Sequence, residues 1–192
     1  MPRPSRKQAI LESLAHELAA QSGNRITTAS LAASAGVSEA ALYRHFASKA
    51  KIFEALIEFA EESVFSRINK VLSESQETVA RCYGICYLLL AFADRNPGIT
   101  RLLLGDALTG ENERLHKRVE QFFNRLETQL RQVLREAGMR NERESVVEPE
   151  VAARFIVDWS EGRLHHYRRS IFTTSPMDGL EQSWALVVKA VF

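Results

Sequence analysis

The sequence predicts an all-helical protein that opens on a cluster of short helices, and three observations carry that class. Apolar residues recur at helical spacing along most of the 192 residues, and Gly and Pro are scarce. No β-branched alternating run lasts long enough to make a strand. Residues Thr27 to Lys49 hold three helix starts in quick succession, at Thr27, Ser38 and Ser48, where a side-chain oxygen can accept an orphan backbone N–H. Gly36 offers the tight turn between the first two of these helices, and Ala32 permits their close crossing. Two short helices joined at a Gly form a helix-turn-helix, whose second helix is the one presented to DNA.

Composition bounds the rest. Apolar residues at 45% and charged residues at 26% are ordinary globular values. No apolar run approaches the roughly 18 residues of a membrane span, and the N-terminus carries no signal-peptide core, so a cytosolic protein is expected. Cys82 and Cys86 lie four apart in a helical pattern and read as small packing residues, since two thiols alone make no zinc site. Net charge is +1, yet residues 1–51 carry seven Lys or Arg against Glu12, Glu17 and Glu39, about +4, leaving about −3 for the remainder. A basic head on a mildly acidic body suits a nucleic acid that touches the head alone.

The elements follow in order. Residues 1–5 form a short basic arm. A first helix runs from about Arg6 to Gln21 on the stripe Ile10, Leu11, Leu14 and Leu18, and Ser22-Gly23-Asn24 ends it. After the helix-turn-helix, Ser48-Lys49 opens a fourth helix to about Leu72, with Phe53, Leu56, Ile57, Ala60, Val64, Ile68 and Val71 as its core face. Phe59, Ser63 and Arg67 lie along one edge of that face, either as a boundary ring with a snorkelling cation or as a protein-docking strip. A fifth helix spans about Glu77 to Arg95, and its run Tyr87 to Phe92 is apolar nearly all round, which predicts a central position. Asn96-Pro97-Gly98 stops it, Ile99 to Leu104 allow one short helix, and residues 105–112 read as a loop. Helices from about Glu113 to Ala137 and from Pro149 to about Arg169 follow, and Ser175-Pro176 caps a last one carrying Leu180, Trp184, Val187, Val188 and Val191. Trp159, Trp184 and the Leu/Phe stripe serve either their own core or a four-helix interface between two copies, and the need to read two half-sites favours a homodimer. The expected domains are a DNA-binding head over 1–50 and a dimerisation and partner-binding body over 51–192.

The head has definite chemistry. On the helix after Ser38, Leu42 and Phe46 project one way, Ala40 and Arg44 the other, and Tyr43 and His45 flank the outer face. Small residues edged by Tyr, His and Arg let a helix lie close to a groove. The alanines can touch thymine methyls and Arg44 can fork onto a guanine edge or a phosphate. Thr28, Tyr43, His45 and Lys49 can donate to phosphates, which fixes register without reading sequence.

These residues resemble the DNA-binding domain of the TetR family of bacterial regulators. Its Thr-Thr pair, Leu-Ala, Ala-Gly-Val-Ser, Leu-Tyr, His-Phe and Ser-Lys are all present between Thr27 and Lys49. The resemblance implies a TetR-like fold, a three-helix helix-turn-helix domain followed by a helical dimerisation and regulatory domain. It also carries DNA contacts to Thr28, Ser38, Ala40, Ala41, Tyr43, His45 and Lys49, and the cap residue Thr27 and the outward Arg44 complete the expected DNA-binding set. Ala29 stands where some members read a base with Arg, so base readout shifts to other positions or to DNA shape. Arg25 to Ala29, Gly36 to Phe46, Leu56 to Phe59, Arg95 to Arg101 and Leu126 to Glu136 are further similar to one branch of the family, the nucleoid occlusion factors. That branch implies binding to palindromic chromosomal DNA as homodimers, singly or in pairs, and antagonism of the division protein FtsZ when DNA-bound. Its FtsZ-facing groove, between the fourth and fifth helices, carries over to Phe59, Arg67, Leu88, Arg95 and Asn96, and Ala91 stands where that branch often has Gly.

The competing reading is a ligand-responsive repressor, which needs a cavity and a ligand of unequal affinity for two states. The bulky run around Leu88 to Phe92 gives it little support, so no small-molecule ligand, cofactor or metal is expected. An enzyme is the weakest reading, because His165-His166 and the nearby carboxylates make no ligand set or catalytic spacing. A cytoplasmic, nucleoid-associated protein is the resulting expectation.

Overall fold

Hydroxyl caps, apolar stripes and a few glycines set the architecture. The computed structural model describes residues 6–20, 27–75 and 77–192. The basic arm at 1–5 and the stop at Ser22-Gly23-Asn24 lie outside the described residues. Among the described residues there are α1 (Arg6–Ala20), α2 (Thr28–Ser34), α3 (Glu39–His45), α4 (Lys49–Glu74), α5 (Thr78–Arg95), α6 (Pro97–Leu103), α7 (Glu113–Met139), α8 (Pro149–Arg169) and α9 (Leu180–Val191), with a 3-10 turn at Asp106–Leu108 and no strand. They fall into two compact units, Met1–Ala60 with Asn96–Val119 and Glu61–Arg95 with Glu120–Phe192. The unit that holds the helix-turn-helix thus also takes in the first half of α4, all of α6 and the first turns of α7.

In the first unit the expected stripe of α1 is buried, and Leu14 and Leu18 are fully so, packed with Leu31, Leu42, Ile52, Phe53, Leu56, Ile57, Leu102 and Leu108. Side chains of this size each stabilise the fold by about 1.5–3 kcal/mol on burial. α1 and α6 are the most closely packed pair. A Cβ on Gly98 would lie 1.8 Å from the carbonyl oxygen of Ala15, so the α6 backbone rests directly on that of α1. One turn on, the buried Arg101 donates from Nη1 to the carbonyl of Leu18 at 2.7 Å. A guanidinium there meets one of the carbonyls that a helix end leaves unpaired, and its charge suits that end of the dipole. Pro97 opens α6 at a position where no N–H is needed, and Thr100 hydrogen-bonds back to the Asn96 carbonyl through both its amide and its hydroxyl, at 2.9 and 3.0 Å.

In the second unit α5 packs on α8. Phe65, Ile68, Ile85, Leu89, Leu90, Phe122, Leu126, Leu130, Ile156 and Leu164 fill its core. The Phe65 and Phe122 rings meet edge to face with centroids 5.5 Å apart. Arg81, buried on α5, donates to Glu136 of α7 at 3.0 Å, and Arg140 reaches the same carboxylate at 3.1 Å. Cys82 and Cys86 are free and buried, as their packing role requires. Desolvation pushes both thiols up, Cys86 to about 12, so neither is a nucleophile at neutral pH.

Two expectations change, and one open alternative is decided. The Tyr87 to Phe92 run is not central all round: Leu89, Leu90 and Phe92 are buried while Tyr87 is exposed, because α5 has only one face on its unit's core. The last helix begins at Leu180, after Gly179 in the left-handed conformation, and Ser175 instead accepts from the amide of Met177 and donates to Asp94 at 2.8 Å. Trp184 is an intrachain core residue, 7% exposed, with its ring 5.7 Å from Trp159 and 5.6 Å from Tyr83. The Leu/Phe stripe of α7 is likewise buried within the chain at Leu115, Phe122, Leu126 and Leu130. The large apolar side chains left outside on α8 and α9 are Val151, Phe155 and Leu186.

Candidate nucleic-acid interface

The head is built by local hydrogen bonds between residues three apart. Thr27 accepts from the Ser30 amide at 3.1 Å, and the Ser30 hydroxyl in turn accepts from the Thr27 amide at 3.3 Å, a reciprocal capping box on α2. Ser38 accepts from the Ala41 amide at 3.2 Å and Ser48 from the Lys51 amide at 3.2 Å, so all three expected caps form. Gly36 adopts φ +62°, the left-handed turn between α2 and α3, where a side chain would be strained. Val37 then closes the turn by donating to the Ala32 carbonyl at 3.0 Å.

This scaffold sorts α3 by burial. Leu42 and Phe46 anchor its inner side, both in the first unit's core. Ala40, Tyr43, Arg44 and His45 are exposed, Tyr43 at 45%, and Ala41 is half-buried. Thr27 and Ser38 are exposed at the starts of α2 and α3, Thr28 and Lys49 are half-buried, and Ala29 is exposed on α2. The head residues named from sequence therefore lie on α2 and α3, at their caps and at the first position of α4, and combine hydroxyl, phenol, imidazole and cationic donors with small side chains. Such a surface can approach a groove closely and place hydroxyl, phenol, imidazole and cationic donors against phosphates.

Two carboxylates outside the predicted site residues engage this surface. The Thr28 hydroxyl donates to Glu39 at 3.0 Å. The Lys49 ammonium donates to Glu111, and lies 5.4 Å from the centre of the Phe53 ring. Next to them, Lys51 at 2.5 Å and Arg114 at 3.2 Å both pair with Glu54. The Lys51 hydrogen bond holds the Glu54 carboxyl below the usual carboxylate range, helped by the Arg114 charge and opposed by burial. Glu39 was legible as a helix-start acid, but nothing in the sequence ties Glu111 to Lys49 across sixty-odd residues.

The five residues of the second candidate surface divide between the units. Phe59 and Asn96 belong to the first, both half-buried, with Asn96 at the N-cap position of α6. Arg67, Leu88 and Arg95 belong to the second. Arg67 is exposed and donates to the backbone carbonyl of Ser63 one turn back at 3.2 Å, Leu88 is half-buried, and Arg95 is exposed at the end of α5. The second unit also has a cavity of about 490 Å³ lined by Trp159, Arg163, His166, Thr174, Pro176 and Asp178 among others. Its guanidinium is engaged within the chain, donating to the Pro176 carbonyl, the Ser183 hydroxyl and the Asp178 carbonyl at 2.6–2.8 Å. Among the described residues no cluster of His, Cys, Asp and Glu is arranged to hold a metal, and no helix is long and apolar enough to cross a membrane.

A capped helix-turn-helix on an all-helical body is the architecture of a DNA-binding regulator. Residues 10–56 match the bacterial regulatory proteins of the tetR family, and residues 76–191 match the tetracyclin repressor-like C-terminal domain of SlmA-like proteins. The chain belongs to the TetR family, in its SlmA-like group. Its relatives include the nucleoid occlusion factor SlmA of Colwellia psychrerythraea, 50% identical over 186 residues that cover 97% of this chain and 94% of the relative. The nucleoid occlusion factor SlmA of Vibrio vulnificus is also 50% identical over 186 residues, covering 96% and 95%. Among solved structures, the MbdR regulator from Azoarcus sp. CIB superposes with a TM-score of 0.81 at 16% identity over 98% of this chain and 100% of its own. A TetR transcription regulator from Haloarcula marismortui gives 0.79 at 18% identity over 97% of each chain. At such identity the likeness carries the fold alone.

Proposed function

We propose that the chain is a DNA-binding nucleoid occlusion factor: a homodimer that binds palindromic chromosomal DNA and, when bound, antagonises FtsZ so that no septum forms over the chromosome. The observation that carries the reading is similarity at 50% identity, over nearly the whole chain, to proteins named nucleoid occlusion factor SlmA. In this reading Thr27, Thr28, Ser38, Tyr43, His45 and Lys49 fix the head on phosphates, while Ala40, Ala41 and Arg44 meet base edges. Phe59, Arg67, Leu88, Arg95 and Asn96 serve FtsZ. The exposed Val151, Phe155 and Leu186 of α8 and α9 meet a second copy, which supplies the second half-site reader. The cavity beside Trp159 and Arg163 meets one requirement of the competing ligand-responsive repressor, and the experiment below separates the two readings.

The test is FtsZ polymerisation with the protein, with and without its palindromic duplex. A DNA-dependent loss of polymer is expected, and no DNA-dependent effect would sink the division reading. Arg95→Asp should abolish that effect with DNA affinity unaltered. An equal fall in DNA binding would show that the partner surface is misassigned.

A further inference from the structure

Lys49 opens α4 beside the head, and its ammonium is held rather than free. Its side chain is 19% exposed and that of its partner Glu111 is 14% exposed, so the pair is largely shielded from solvent. Glu111 is placed by a defined turn. Gly105 and Gly110 take φ +83° and +77°, the Glu111 amide donates to the Leu108 carbonyl at 2.8 Å, and Asn112 accepts from the Arg114 amide at 2.9 Å to start α7. The neighbouring cations do not compete for it, because Lys51 and Arg114 share Glu54. Carboxylate and phosphodiester oxygens are both anionic acceptors for an ammonium, and seating both on the Lys49 ammonium would bring two negative charges together, so each is favoured by the other's departure.

We propose that Glu111 is a built-in competitor of DNA phosphate for Lys49. Docking the head hands the Lys49 ammonium from Glu111 to a phosphate and releases the turn at 105–112 that Glu111 anchors. The pair lowers DNA affinity by the cost of breaking it, and converts occupancy of the head into a change in the connection between α6 and α7. The inference rests on the DNA-binding reading of the head.

The experiment is fluorescence anisotropy of a short labelled mixed-sequence duplex at low salt, where phosphate contacts dominate. Glu111→Gln keeps the side-chain shape and should bind about three- to tenfold more tightly than the unaltered chain, a gain of the size expected for a shielded ion pair. Glu111→Ala should do the same, which separates the effect from any hydrogen bond the Gln makes. In a Lys49→Gln background the gain should vanish. Glu113→Gln, which removes the same charge two residues away, should change nothing. Hydrogen exchange across 105–112 should rise when duplex is added to the unaltered chain, and should already be fast in Glu111→Gln. An unchanged affinity in both Glu111 variants, an equal gain in the Lys49→Gln background, or an equal gain from Glu113→Gln would each overturn the latch. Failure of the unaltered chain to bind any duplex would instead remove the DNA-binding reading itself.

Discussion

The outward faces of the head and of the body are opposite in kind. On α3 the side chains left outside are small or polar, Ala40, Tyr43, Arg44 and His45. On α8 and α9 they include Val151, Phe155 at 45% exposure and Leu186 at 65%. Each face is what its own core declined to bury, and each points to a different partner. A helix carrying small residues and edge donors gains little from apolar contact and much from a polyanion. A helix pair that keeps a large ring and an isobutyl group in water gains from an apolar partner, and an identical copy satisfies that by symmetry.

The largest expected effect falls on what supports the head. Gly98→Ala places a methyl against the α1 backbone, where neither helix can yield without unseating Arg101 from Leu18. A loss of about 3 kcal/mol or more is expected, read as a lowered thermal midpoint. A midpoint unchanged from the parent would mean that α1 and α6 are not locked and that the head's face is not rigidly held.

Phe155→Asp tests the body's face. It should weaken self-association by about 2 kcal/mol or more, visible in sedimentation as monomer at concentrations where the parent is a dimer. Retained dimer would show that the exposed apolar residues are not the contact, and the contrast between the faces would lose its meaning. Tyr43→Ala is the matching test on the head. It should cost about 1–2 kcal/mol of DNA affinity in a titration and leave self-association intact.

The smallest effect is a pH dependence within the first unit. The carboxyl of Glu54 is held below its ordinary range by Lys51 and Arg114, so the stability it contributes is complete above the ordinary carboxylate range. It is lost as pH falls through the depressed folded value. Glu54→Gln should therefore lower the thermal midpoint near neutrality and reduce its fall on acidification, with no change in slope above pH of about 6. A steeper acid fall in the variant would contradict the assignment.

The amino-acid sequence alone determined the head. Thr27, Ser38 and Ser48 cap amides three residues away, Gly36 takes the one conformation its turn needs, and Leu42 and Phe46 face inward by helical period. Each of those outcomes depends on neighbours within a turn of helix, so local chemistry settles it. It also determined the helix pattern of the body, since apolar spacing marks a helix wherever it packs. Tertiary structure decided which apolar residues go inside. Trp184 and Phe155 both sit on amphipathic helices, and periodicity cannot say that Trp184 packs against Trp159 and Tyr83 while Phe155 stays in water. It decided that Gly98, which reads as a helix stop, is instead the point where two backbones touch. It decided too that Lys49 meets Glu111, because the distance between two side chains far apart in the chain is fixed only by how the helices between them pack.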